Sequence, residues 1–138
     1  MLEVRKSRKY GRGVYATRAI KAGELVESSP VLVLDEWEAT KVYPTVLNHY
    51  VFSWNDKLES AIAFGFGSLF NHSTKDSLTY EPNYKEKTID FMALRNIKKG
   101  EQLFIDYGYN VKSGIEATKN NREKAEAAEQ IKVDPFRK

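Results

Sequence analysis

Apolar positions in this chain come in short runs cut by glycine, proline and charged pairs, a rhythm that predicts many short strands rather than long helices. Leu2 to Arg5 reads as a first short strand, Tyr10-Gly11-Arg12-Gly13 as a turn, and Val14 to Thr17 as the start of the next strand. Lys21-Ala22-Gly23 is a second turn. Glu24 to Leu34, rich in Val and Leu, reads as a strand interrupted near Pro30. Asp35 to Lys41 suits one or two helical turns with Asp35 as N-cap, ended by Pro44. Tyr50-Val51-Phe52 is a short strand. Ala61 to Phe70 carries Gly65 and Gly67, which predict a bent backbone approached closely by another segment. Leu78 to Tyr80 and Lys87 to Leu94 form hairpin arms around Pro82-Asn83, with Ile89, Phe91 and Ala93 on one face. Lys99-Gly100 is a turn before a buried strand from Gln102 to Ile105.

Beyond Asn110 the pattern changes. Lys112 to Lys132 is dominated by Lys, Glu, Ala and Asn, Ser113-Gly114-Ile115-Glu116 fits a capping box, and Pro135 is a stop. The expected organisation is a mainly β domain over residues 1–110 and a helical C-terminal tail over 111–138. Its few apolar residues predict a lid that orders on binding.

With 138 residues there is room for one core. A 41% hydrophobic and 30% charged composition describes a soluble globular protein. No apolar run reaches membrane-spanning length and the first residues lack a signal-peptide core, so an intracellular protein is expected. Zero cysteines excludes disulfides, thiolate zinc sites and cysteine nucleophiles, and with only His49 and His72 no metal is expected. The net charge of +3 is unevenly placed: Arg5, Lys6, Arg8, Lys9, Arg12, Arg18 and Lys21 face only Glu3 in the first stretch, and Glu24, Glu27, Asp35, Glu36 and Glu38 follow. Such a basic segment suits either a solvated surface or an anion partner.

Two endings exceed what packing requires. Ser68-Leu69-Phe70 runs into Asn71-His72-Ser73, and Gln102-Leu103-Phe104-Ile105 runs into Asp106-Tyr107-Gly108-Tyr109. Each alone suits a satisfied turn or wet core tyrosines. Together they place an amide, an imidazole and phenols near one another.

In order and spacing these pieces resemble the SET-domain protein lysine methyltransferases, with a look closest to the minimal SET proteins of large DNA viruses and bacteria. The likeness runs through Tyr10-Gly11-Arg12-Gly13-Val14-Tyr15-Ala16, Ile20-Lys21-Ala22-Gly23-Glu24-Leu25-Val26, Tyr50-Val51-Phe52, Phe70-Asn71-His72-Ser73, Ala93 to Leu103 and Asp106-Tyr107-Gly108-Tyr109. It implies a β-clip fold of small sheets with a pseudoknot, and S-adenosylmethionine as cofactor. By resemblance Tyr10, Arg12, Gly13, Tyr50, Asn71 and His72 bind the cofactor, Tyr107 is catalytic beside the transferred methyl, and Ile105 and Tyr109 line the lysine channel. Ile105 stands where many members carry Phe or Tyr, which leaves room for higher methylation. The zinc-bound tail of many members is absent, and the motif loses its Cys, Pro and second Asn after Ser73.

The resemblance implies methyl transfer to a protein lysine, with a basic histone or histone-like tail favoured by the acidic run from Glu24 to Glu38. A homodimer is left open. Direct nucleic-acid binding and membrane association are not expected. The competing classes are a SET-fold binding module without catalysis, a basic β domain that stacks nucleic acid on aromatics, and a small sugar-binding or antifreeze-like β-clip.

Overall fold

The computed structural model describes residues 1–107, and they divide into two units: 1–32 with 63–106, and 33–62 with Tyr107. The expected tail over 111–138, Gly108 and Tyr109 lie outside the described residues.

The first unit is built from two small sheets. Strand β1 (Leu2–Ser7) pairs antiparallel with β2 (Gly11–Ala16). Gly11 pairs with Ser7, so Gly11-Arg12-Gly13 is strand and not the expected turn. The turn is Arg8-Lys9-Tyr10, where the Ser7 hydroxyl accepts from the Tyr10 N–H at 3.0 Å. Gly11 enters the strand at φ 66°, a left-handed conformation that short hairpin loops need and that glycine adopts without strain.

Strand β3 (Leu25–Leu34) starts in this unit and is continuous through Pro30. Its irregularity is a register shift between Leu25 and Glu27. Pro30 costs the pairing with β8 no bond, because the residue whose N–H points to β8 is Val31, which donates to the Lys87 carbonyl at 3.1 Å. The Pro30 carbonyl accepts from Phe64 N–H at 2.9 Å.

Strands β7 (Leu78–Asn83) and β8 (Thr88–Ala93) form a hairpin beside β3. Pro82 and Asn83 lie in the strand. The turn is residues 84–87, closed by the Asn83 side-chain oxygen accepting from Glu86 N–H at 3.0 Å. Ile89, Phe91 and Ala93 are buried while Met92 between them is exposed, as strand alternation requires. Phe70 packs on Phe91 with ring centroids 4.8 Å apart. These aromatics, with Val14, Ile20, Leu78, Ile97, Leu103 and Ile105, form the core, and truncating Phe91 to alanine should cost about 3–5 kcal/mol.

Two glycines are explained by one carboxylate and one hydroxyl. A Cβ on Gly65, at φ 68°, would overlap the Glu27 side chain, which accepts from Phe66 N–H at 2.7 Å. A Cβ on Gly67 would meet Ser29 Oγ. The close approach expected at both is therefore present.

In the second unit, helix α1 (Glu36–Val42) carries the expected Asp35 N-cap as a complete capping box with Glu38, at 2.8 and 3.0 Å. Such a cap is worth about 1 kcal/mol. A 3-10 turn over Val46–His49 ends at Tyr50, so Tyr50 caps that turn rather than opening the strand. The strand is β4 (Val51–Ser53), antiparallel to β5 (Ser60–Ala63). Among the described residues no helix is long and apolar enough to cross a membrane.

Candidate active site

The centre of the first unit is a parallel pairing between segments far apart in the chain. Strand β6 (Asn71–His72) runs beside β9 (Gln102–Ile105), with Asn71 opposite Phe104 and His72 opposite Ile105. The Ser73 N–H extends the ladder to the Ile105 carbonyl at 3.0 Å. Parallel pairing here has a packing cause: Phe70, Leu103 and Ile105 are all buried, so both segments are anchored by apolar residues beside their polar ends. The first sheet thus has the order β1-β2-β9-β6.

Ser77 secures this pairing. It is fully buried, its hydroxyl accepts from Phe104 N–H at 3.1 Å, its N–H donates to the Phe104 carbonyl at 3.1 Å, and its carbonyl accepts from Leu94 N–H at 2.8 Å. Three polar groups of one small residue are therefore satisfied without water.

The Asn71 amide is 7% exposed. Its Nδ2 donates to the Arg12 carbonyl at 2.8 Å and to Gln102 Oε1 at 2.9 Å, with the Tyr10 carbonyl at 3.5 Å. Gln102 Nε2 in turn donates to the Tyr15 hydroxyl at 3.1 Å, and Arg5 lies over the Tyr15 ring. Gly13 sits under this network. A Cβ there would overlap Gln102 Oε1 and come within 2.9 Å of Asn71 Nδ2. Gly13 is thus bare because two side-chain amides occupy its space.

Of the residues singled out from the sequence, Tyr10, Arg12, Gly13, Asn71, His72 and Ile105 are brought together in this unit. The Tyr10 ring meets the Phe104 ring edge-on at 5.1 Å. Ile105 is 1% exposed within the core. His72 Nδ1 lies 3.9 Å from Asp106 Oδ1, an ion-pair distance when the imidazole is protonated and too long for a hydrogen bond. Burial, and then the neighbouring Asp106 carboxylate, push the Asp76 carboxyl above its ordinary range. Ser73 Oγ accepts from Lys75 N–H at 3.0 Å, so that hydroxyl serves the turn. Tyr107, half-buried, follows Asp106 directly in the chain and belongs with the second unit, as does half-buried Tyr50.

Gln102 and Ser77 are the residues that sequence reading missed. Gln102 reads only as the start of a buried strand, and its partner Asn71 is 31 positions away. The only signal for it is indirect: a glycine in β2 whose space something else must fill.

The class this arrangement defines is a mainly β fold whose Asn-His-Ser segment is paired in parallel with the strand that precedes Asp106. The model of the SET domain family matches residues 11–108. A histone-lysine N-methyltransferase of Schizosaccharomyces pombe, H3 lysine-37 specific, is 36% identical over 123 residues, covering 88% of this chain and 82% of the relative. A crystal structure of a Plasmodium falciparum protein put forward as a histone methyltransferase superposes with a TM-score of 0.66 at 25% identity, over 80% of this chain and 100% of that one. The Chaetomium thermophilum Polycomb Repressive Complex 2 gives 0.69 at 24% identity over 89% of this chain, which spans only 17% of that chain and bears on the fold alone. The chain belongs to the SET-domain family of protein-lysine methyltransferases.

Proposed function

We propose that this chain transfers a methyl group from S-adenosylmethionine to a lysine in a basic histone H3-type tail. The observation that carries the reading is the 36% identity to the H3 lysine-37 enzyme across 82% of that protein. The acidic residues between Glu24 and Glu38 favour a basic substrate.

The residues fit the cofactor in one respect that bears on its site. The Asn71 amide ties the backbone of Tyr10 and Arg12 to strand β9, which runs into Asp106 and Tyr107. The segment proposed to hold the methionine end is thus tied to one strand of the first unit. Tyr10, Arg12, Gly13, Tyr50, Asn71 and His72 would hold S-adenosylmethionine, which supplies an electrophilic sulfonium methyl when bound.

The chain's own task is positioning and drying. A free lysine has a pKa near 10.4 and attacks only when neutral. The apolar lysine channel that the resemblance implies, with Ile105 and Tyr109 assigned to it, would disfavour the ammonium form. The Tyr107 hydroxyl orients the amine by a polar contact. Ile105, smaller than an aromatic residue, leaves room for a lysine that already carries a methyl. We also assign residues 1–110 as the catalytic domain and 111–138 as the segment that excludes water from it. Truncation after Asn110 should then weaken cofactor binding while the β core stays folded by circular dichroism. The reading is tested by transfer of labelled methyl to H3-tail peptides, and an unlabelled product with every lysine-bearing peptide overturns it.

A further inference from the structure

We infer that the β1–β2 hairpin is a docking surface for the phosphate backbone of duplex DNA. The pairing register places Lys6 directly opposite Arg12, so two cations share one face of the hairpin. Like charges directly opposite on adjacent strands repel. Arg8 and Lys9 extend the cluster around the turn, and all four are exposed. Among the described residues none of the four is in an ion pair: Glu3, the one acid on the hairpin, is held by Arg5 at 2.5 Å.

Opposite residues on paired strands share a face. Lys6 and Arg12 therefore stand on one face and Arg5, Gly13 and Tyr15 on the other, where Gln102 and Asn71 meet. The cationic side chains thus leave the hairpin on the face away from Gly13 and the amides above it, a network that Arg12 joins through its carbonyl.

The patch is dominated by charge. On the face of Lys6 and Arg12 the neighbouring exposed apolar side chain is the small Val4, and the ring of Tyr10 at the turn is already taken up by Phe104 at 5.1 Å and Lys9 at 5.3 Å. A protein interface draws its energy from a desolvated apolar or aromatic core. A phosphate backbone asks only for cations and releases counterions as they bind. That contrast favours DNA over an acidic protein, and it revises the expectation from sequence, in which the basic residues are counted but not placed. Resting on the proposed histone reading, the consequence is catalytic: docking on DNA raises the effective concentration of a tail attached to it.

The test is fluorescence anisotropy of a short labelled DNA duplex titrated with the full chain at increasing salt. Four phosphate contacts predict that log K falls with log salt with a slope of about −3.6. The double variant Lys6→Glu/Arg8→Glu should weaken binding at least about tenfold and reduce the slope by about 1.8. Both proteins should methylate a free H3-tail peptide equally, and the variant should be slower on the same histone wrapped in DNA. No duplex binding at low salt, a slope unchanged in the variant, or capture by anionic lipid vesicles but not by the duplex would each overturn the inference. Duplex binding with the expected slope but no methylation of any peptide leaves the docking surface standing and removes the proposed function.

Discussion

The side-chain amide of Asn71 meets that of Gln102 at 2.9 Å in the space that a Cβ on Gly13 would need. Gly13→Ala must push apart a part-buried hydrogen-bonded pair, and overpacking of this kind costs about 1–3 kcal/mol. A urea titration of the variant should show that loss as a lower midpoint with an unchanged slope. An unaltered midpoint would mean that the amides move aside freely.

Gln102 separates shape from hydrogen bonding. Gln102→Leu leaves the Asn71 amide and the Tyr15 hydroxyl without their partner and should cost about 1–3 kcal/mol. Gln102→Glu keeps an acceptor for Asn71, and the Tyr15 hydroxyl can donate to the carboxylate, so most of the stability should return. Equal losses in the two variants would show that volume alone matters at this position.

Two aspartates should respond to pH with opposite signs. The Asp76 carboxyl is raised by burial and by Asp106, against the weaker pull of His72 and Arg95. A raised carboxyl contributes stability at acid pH that is lost as pH rises through its folded pKa. Asp76→Asn should therefore be more stable than the parent at neutral pH, with the gain vanishing below the carboxylate range. The Asp90 carboxyl is lowered, first by the Ser28 hydroxyl, which donates to it at 2.6 Å. Its stability is present above the ordinary carboxylate range and lost as pH falls through the folded pKa. Asp90→Asn should be less stable at neutral pH, and the difference should close in acid. Denaturant midpoints from pH 7 downward check both signs.

Tyr107→Phe should retain the fold and cofactor affinity and lower turnover about tenfold or more, the scale of a polar contact of roughly 1.4 kcal/mol made in the transition state. Steady-state kinetics beside a cofactor titration separate the outcomes. Unchanged turnover would remove Tyr107 from its assigned role.

Local features were legible in the sequence where the cause is local. The Asp35 cap and its Glu38 partner lie three positions apart, and the Ile89, Phe91, Ala93 alternation is a property of one strand. The errors fall where glycine or proline was read as punctuation. Gly11 to Gly13 are strand because the hairpin turns at Arg8-Lys9-Tyr10, closed through Ser7, and Pro30 and Pro82 are accommodated inside strands. The candidate site was legible as a set of motifs, yet its internal support was not. Gln102 and Ser77 act across the parallel pairing of β6 with β9, a long-range event that no local periodicity encodes.

The central claim is lysine methyl transfer, and mass spectrometry of an H3-tail peptide incubated with the full chain and S-adenosylmethionine addresses it most directly. The account predicts added methyl groups on one lysine, abolished when that lysine is replaced by arginine and unaffected by a chelator. A peptide of unchanged mass, from a protein that binds the cofactor in a parallel calorimetric titration, would contradict it.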